Sequence, residues 1–161
     1  MQTEDPFDTF QNIAFRVEAL PDYPDEDGGH SEIEHFRTHG NAPADHNEIW
    51  VQMIKRAVNR GGQVERLRVV SSPLSPYEDF EVHAGYQAGI NAGERIKIYS
   101  GPDLQIPYDF WVYDWETIEI LHYDDTGRFI DSEVRPITPK ELVTAKRLHA
   151  VFEAIPETLA P

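Results

Sequence analysis

The clearest chemical signal lies in four cations near the middle of the chain. Arg66 and Arg68 alternate along one apolar-rich stretch, and Arg95 and Lys97 along another. Alternate residues of a strand share a face, so two neighbouring strands would bring all four to one side of a sheet. Like charges across strands cost energy unless something compensates them. Two arrangements meet that condition: an internal ion-pair ladder with Glu78, Glu81, Asp109 or Asp114, or a face that binds an anion. Tyr77 and Trp111 stand beside these charges and add the aromatic surface that a small-molecule pocket needs. The expected ligand or partner face comprises Arg66, Arg68, Tyr77, Glu81, Arg95, Lys97, Asp109, Trp111 and Asp114.

Other chemistries find less support. His35 and His39 stand four apart on a short helical pattern, with His30 and His46 nearby. That spacing can chelate zinc or nickel. No third ligand follows at motif spacing and no His-Glu-x-x-His is present, so they read as solvated histidines, with no metal and no cofactor expected. The chain has no cysteine, which excludes a thiol nucleophile, a disulfide framework and every Cys-ligated metal. It has no Gly-x-Ser-x-Gly elbow, Walker loop or Gly-x-Gly-x-x-Gly. Carboxylate pairs such as Asp109/Asp114 and Asp124/Asp125 carry no specificity in a chain with 29 acids.

The elements that must position these residues are legible from periodicity. Ala14 to Leu20 alternates Phe15, Val17 and Ala19 against Arg16 and Glu18, which predicts a half-buried strand. Pro21 to Gly29 is a loop, and Ser31 to His39 a short helix closed by Gly40. Glu48 to Arg60 is the strongest helix, with Trp50, Met53, Ile54, Ala57 and Val58 on one face, capped by Asn47 or by Asp45 and Glu48. Val64 to Val70 and Arg95 to Tyr99 read as strands, joined by a helix that Ser75-Pro76-Tyr77-Glu78 opens as a capping box. A helix between two strands predicts a right-handed parallel crossover. Strands follow at Phe110 to Trp115, Ile118 to Tyr123 and Arg128 to Val134, the last two joined by a hairpin at Asp124 to Gly127. Thr138-Pro139-Lys140-Glu141 opens a final helix that Pro156 ends. The order predicts a single α+β domain over 1–161, a mixed sheet covered by helices, with an acidic loop-rich part at 1–47 and a core at 48–155.

The 161 residues carry 14 Lys plus Arg against 29 Asp plus Glu, a net charge of −15. Residues 1–48 hold −10, residues 49–100 hold +2, and residues 101–161 hold −7. So acidic a surface argues against direct contact with nucleic acid or anionic lipid. The N-terminus lacks the basic and apolar regions of a signal peptide, and no run reaches the length of a membrane span, so a cytoplasmic location is expected.

The run Leu67-Arg68-Val69-Val70, then Pro73 to Tyr77, Phe80-Glu81, Gly93 to Ile96 and Asp109 to Asp114 resembles a small actinobacterial family of unknown function. Phe15-Arg16-Val17-Glu18, Tyr23, Phe36, Gly40 and Trp50 fall in the same order, so the resemblance spans about residues 10–155. Members of that family have no established activity and are often encoded beside XRE-type helix-turn-helix regulators, which implies a regulatory or sensing partner. The unit from Val64 to Asp114 is also similar to half of a phospholipase D-like domain. That superfamily's His-x-Lys-x4-Asp, set on Asp114, puts its His at Pro107 and its Lys at Asp109. The resemblance therefore implies the fold without the catalytic motif.

Three functions follow as expectations. The first is a non-enzymatic regulatory or ligand-sensing module acting with a helix-turn-helix regulator. The second is an acidic antitoxin- or immunity-type protein that binds a basic protein through the carboxylates of 22–34 and 114–133. The third is a phosphodiesterase.

Overall fold

The computed structural model describes residues 4–24 and 30–159. Six strands form one mixed sheet: β1 (Ile13–Glu18), β2 (Gln63–Val69), β3 (Arg95–Tyr99), β4 (Asp109–Tyr113), β5 (Thr117–Tyr123) and β6 (Phe129–Pro136), in the order β3-β2-β1-β4-β5-β6. The first three run parallel, as the helical crossover requires, and β4 to β6 are antiparallel to their neighbours. The helices are α1 (Pro6–Thr9), α2 (His30–His39), α3 (Glu48–Asn59), α4 (Pro76–Phe80), α5 (Gln87–Ala92) and α6 (Pro139–Ala154). A π-helical stretch, Glu81–Gly85, joins α4 to α5.

Local chemistry explains most boundaries. Ser75 caps α4 and Thr138 caps α6, each in a reciprocal capping box with Glu78 or Glu141 and with proline at the first turn. α3 begins after Asn47, whose side chain makes no cap and whose backbone is left-handed. α1, opened by Asp5, is absent from the periodicity because it is a single turn. At the β5–β6 turn Gly127 has φ +85°, and a Cβ there would run into the carbonyl oxygen of Asp22. The sequence places a loop over Pro21 to Gly29; its residues 25–29 lie outside the described residues.

One face of the sheet packs on α6 through Phe15, Val17, Leu67, Phe110, Val112, Ile118 and Ile120 against Ala145, Leu148 and Phe152. The other face carries Ala14, Val64, Trp111 and Tyr113 under Phe7, Phe10, Ile54 and Ala57 of α1, its C-cap and α3. Two features depart from the sequence patterns. β1 is buried along its whole length because it is a central strand covered on both faces, so Arg16 and Glu18 face protein and not water. The centre of the sheet thus comes from the part whose composition predicts loops. The four cations also fail to share a face. The parallel register sets Arg66 beside Ile96 and Leu67 beside Lys97, which turns Arg95 and Lys97 toward α6. There Lys97 donates to the Phe152 carbonyl at 2.9 Å and Arg95 pairs with Glu65 and Glu157.

Candidate functional site

The face away from α6 holds a buried ionic network. Pairing sets Arg16 of β1 beside Arg66 of β2 and Trp111 of β4, and Glu18 beside Arg68. Three guanidinium groups therefore crowd one patch, and carboxylates must separate them. Glu18 is the hub: it accepts from Arg66 Nη1 at 2.6 Å and from the Tyr86 hydroxyl at 2.7 Å, with Arg68 Nε at 3.3 Å and Arg16 Nη2 at 3.5 Å. Glu81 accepts from Arg68 Nε and Nη2 at 3.0 and 2.8 Å. Glu94 accepts from Arg66 Nε and from Trp50 Nε1, both at 3.2 Å. Asp109 accepts from Arg16 Nη2 at 3.3 Å, from the Ala19 amide at 3.1 Å and, in a short bond, from the Tyr23 hydroxyl.

The chain reaches this arrangement through irregular backbone. The π-helical stretch inserts an extra residue per turn, which lets Glu81 and Tyr86 both face the sheet. Gly93, at φ +117°, ends α5 and starts the strand so that Glu94 turns inward.

Burial sets the titration of these groups. It pushes Glu18 up, but Arg66, Arg68 and Arg16 outweigh it and, with a hydrogen bond to Glu81, hold this carboxyl well below its usual range. Glu94 and Asp109 go the other way: burial raises both, and the single guanidinium beside each does not offset it. Tyr23 and Tyr86 are raised by burial and then by the carboxylates around them.

Beside the network lies a cavity of about 390 Å³. Its polar wall is Arg16, Glu18, Asn47, Arg66 and Glu94, and its remaining wall includes Trp50, Tyr86, Trp111, Leu121, Tyr123 and Phe129. Arg66 sits among three rings, 5.7 Å from the centres of Trp50 and Tyr86 and 5.9 Å from Trp111. Phe129 is 47% exposed, so the lining reaches the surface. Among the described residues only two buried side-chain polar atoms lack a hydrogen-bond partner, Arg16 Nη1 and His46 Nε2. Arg16 lines the cavity and is 3% exposed.

Of the residues the sequence singles out, Arg66 and Trp111 line this cavity, and Arg68, Glu81 and Asp109 complete the network behind it. The other four lie elsewhere. Tyr77 packs on Tyr23 and Phe80 and lines a separate hollow of about 350 Å³. Arg95 and Lys97 are on the α6 face. Asp114, left-handed at the end of β4, accepts from the amides of Gln11, Asn12 and Ile13 at 2.7–2.9 Å, which fixes the entry into β1. Both of its oxygens are engaged. The residues that sequence patterns do not reveal are Arg16, Glu18, Tyr86, Glu94 and Tyr123. A strand with charges at alternate positions reads as solvent-facing, and only central placement reverses that reading.

The four histidines do not converge. His35 stacks on His39 with ring centres 4.3 Å apart, His30 pairs with Asp22, and His46 pairs with Glu32. Among the described residues, the trio whose ligand atoms lie close enough to hold a metal is Glu65, His149 and Glu153 on the α6 face, where Arg95 already pairs with Glu65.

Fold and site together define a single α+β domain with a charged, ring-lined cavity on one face of a mixed sheet. The chain matches the domain of unknown function DUF6879 over residues 1–157 and belongs to that family. No curated protein matches it. No helix of the described residues is long and apolar enough to cross a membrane.

Proposed function

We propose that the protein is a non-enzymatic ligand-sensing module whose site is the cavity between Arg66, Trp50 and Trp111, and that it acts with a helix-turn-helix regulator. One observation carries the ligand reading: aromatic rings and the guanidinium side chains of Arg16 and Arg66 bound the same small, surface-reaching hollow. Such a site satisfies the general description of a ligand pocket, mostly apolar with a few fixed polar groups. The regulator enters from the resemblance read in the sequence. Catalysis finds little support. The phospholipase D-like register leaves only Asp114 in place, and that carboxylate is engaged by three backbone amides.

A thermal-shift screen of a metabolite library tests the reading on wild type and Arg66→Ala. Compounds should raise the wild-type melting temperature and lose that effect in the variant. If nothing shifts the wild type, or if the variant keeps every shift, the cavity is not a ligand site. A compound that passes should also change the affinity of the chain for a helix-turn-helix regulator, should its neighbouring genes encode one.

A second reading, an acidic module for a basic protein partner, draws on β6. This edge strand is exposed over most of its length and presents Asp131 and Glu133 beside Phe129, Ile130 and Val134, with Asp124 and Asp125 at the adjoining turn. Capture of a basic partner that weakens steeply between 50 and 500 mM salt would favour it; the salt range is chosen to span a Debye length of about 14 to about 4 Å.

A further inference from the structure

One edge of the sheet is open, and its pattern of side chains names what fits it. We propose that the outer edge of β6 docks an extended segment of a partner protein in which Lys or Arg alternates with apolar residues, added to the sheet as a further strand. This rests on the basic-partner reading and is independent of the cavity.

The two edges are finished differently. β3, at one end, has five residues; its Arg95 reaches Glu157, and Leu159 packs on the cluster that includes its Ile96. β6, at the other end, is the longest strand of the sheet at eight residues, and among the described residues no strand pairs with its outer side. Sheets ordinarily blunt such an edge with a short strand, lysines, a proline or a bulge. β6 has no lysine, its bulge lies at its start opposite His122 and Tyr123, and Pro136 is its last residue. The stretch between them stays open. Of the six large apolar side chains exposed among the described residues, Phe129, Ile130 and Val134 all stand on this strand. Open backbone groups flanked by apolar side chains are what strand addition uses.

The register sorts the side chains into two rows. Asp131, Glu133 and Arg135 lie opposite His122, Ile120 and Ile118, on the side of the sheet that faces α6. Ser132 and Val134 lie opposite Leu121 and Glu119 on the other side, with Phe129. An incoming strand extends both rows, so every second side chain meets the acids and those between meet the apolar row. Asp131 pairs with His122 at 2.7 Å and Glu133 with Arg135 at 3.0 Å, yet their side chains stay 68% and 51% exposed. Arg135 is the only cation of the strand, and both its Nη groups also donate to Glu141 at 2.7 Å. Asp124 and Asp125 at the adjoining turn add to the excess of acid. A second copy would bring the same acids to the edge, and a net charge of −15 on each chain opposes that pairing. A basic strand is complementary in charge and in pattern.

Three heptapeptides test this: acetyl-VKVKVKV-amide, its block isomer acetyl-KKKVVVV-amide and the acidic acetyl-VEVEVEV-amide. Each is titrated calorimetrically into the full chain at neutral pH, with amide hydrogen exchange followed by NMR. The alternating lysine peptide should bind tighter than its block isomer by about fivefold or more, the margin that a few aligned cross-strand pairs supply, and should slow exchange in β6. In Asp131→Lys/Glu133→Lys the preference should reverse to the glutamate peptide. If the block isomer binds equally well, strand pairing is wrong while the basic-partner reading stands. If neither lysine peptide binds, or if protection appears outside β6, the docking site is overturned, and salt-dependent capture alone decides the basic-partner reading. A dimer in sedimentation without peptide, its β6 amides already protected, would give the edge to a second copy and also overturn the proposal. Should the double variant fail to fold, the peptide ranking and the exchange map on wild type settle the question.

Discussion

Replacing Glu18 by Gln should be among the most damaging single changes of similar shape in this molecule. The side chain is 1% exposed and stands between three guanidinium groups, with contacts of 2.6, 3.3 and 3.5 Å to Arg66, Arg68 and Arg16. Glutamine keeps the volume and one acceptor for Tyr86, but it withdraws the charge that separates the cations. Breaking a buried ion pair by removing one partner costs about 3–5 kcal/mol, chiefly because the remaining charges are left uncompensated. For a chain of this length each kcal/mol moves the melting temperature by about 2–4 °C, so a drop of about 6–20 °C is expected. The pH dependence gives a second check with a definite sign. The folded-state carboxyl is held below its ordinary value, so its stabilisation is present above the unfolded value near 4.5 and fades as pH falls below it. Chemical denaturation of wild type and Glu18→Gln at pH 7, 5 and 3.5 should show a gap that is widest at pH 7 and narrows below 4.5. A melting temperature within 3 °C of wild type at pH 7, or a gap that widens in acid, would refute the network as described.

The neighbouring acid should behave in the opposite way. Burial raises Glu94, so its contribution is greatest below the unfolded value and is lost as pH rises through the raised one. Glu94→Gln should therefore cost less than Glu18→Gln at pH 7 by thermal melting, and its deficit against wild type should grow as pH falls toward 4.5. Asp114→Ala removes the acceptor for three amides at the entry to β1; by analogy with a lost helix cap it should cost about 1–2 kcal/mol in urea titrations, yet leave ligand-induced thermal shifts intact. Thr138→Ala breaks the capping box of α6 and should lower the melting temperature by about 2–4 °C, from a loss of about 1 kcal/mol.

What the sequence reveals of this fold is what short-range chemistry determines. Ser75 and Thr138 announce their helices three residues ahead through Glu78 and Glu141, and Asp124 to Gly127 announces a hairpin. The parallel pairing of β2 and β3 also follows, since parallel neighbours need a crossover of a dozen or more residues, usually helical, and this segment carries one. Register does not follow. Whether Arg66 lies beside Arg95 or beside Ile96 depends on how the crossover seats on the sheet, and neither strand's own alternation encodes it. Burial of β1 is illegible for a similar reason: Arg16 and Glu18 look like a solvated face until two long-range pairings, to β2 and β4, enclose them. Half of the candidate site was therefore visible as isolated residues, and the half that makes it a cavity came from topology.

The central place of β1 has a consequence for how the molecule comes into being. Its two neighbours, β2 and β4, begin about fifty and about a hundred residues downstream, so neither flank of this strand is formed from local sequence. Topologies of such high contact order fold slowly, because distant segments must meet before any pairing is rewarded. In chain order, β1 finds its first pairing partner only with β2, and the hollow acquires its last lining residue only with Phe129. A chain cut short before that point would retain most of the charged residues but lack a complete cavity wall.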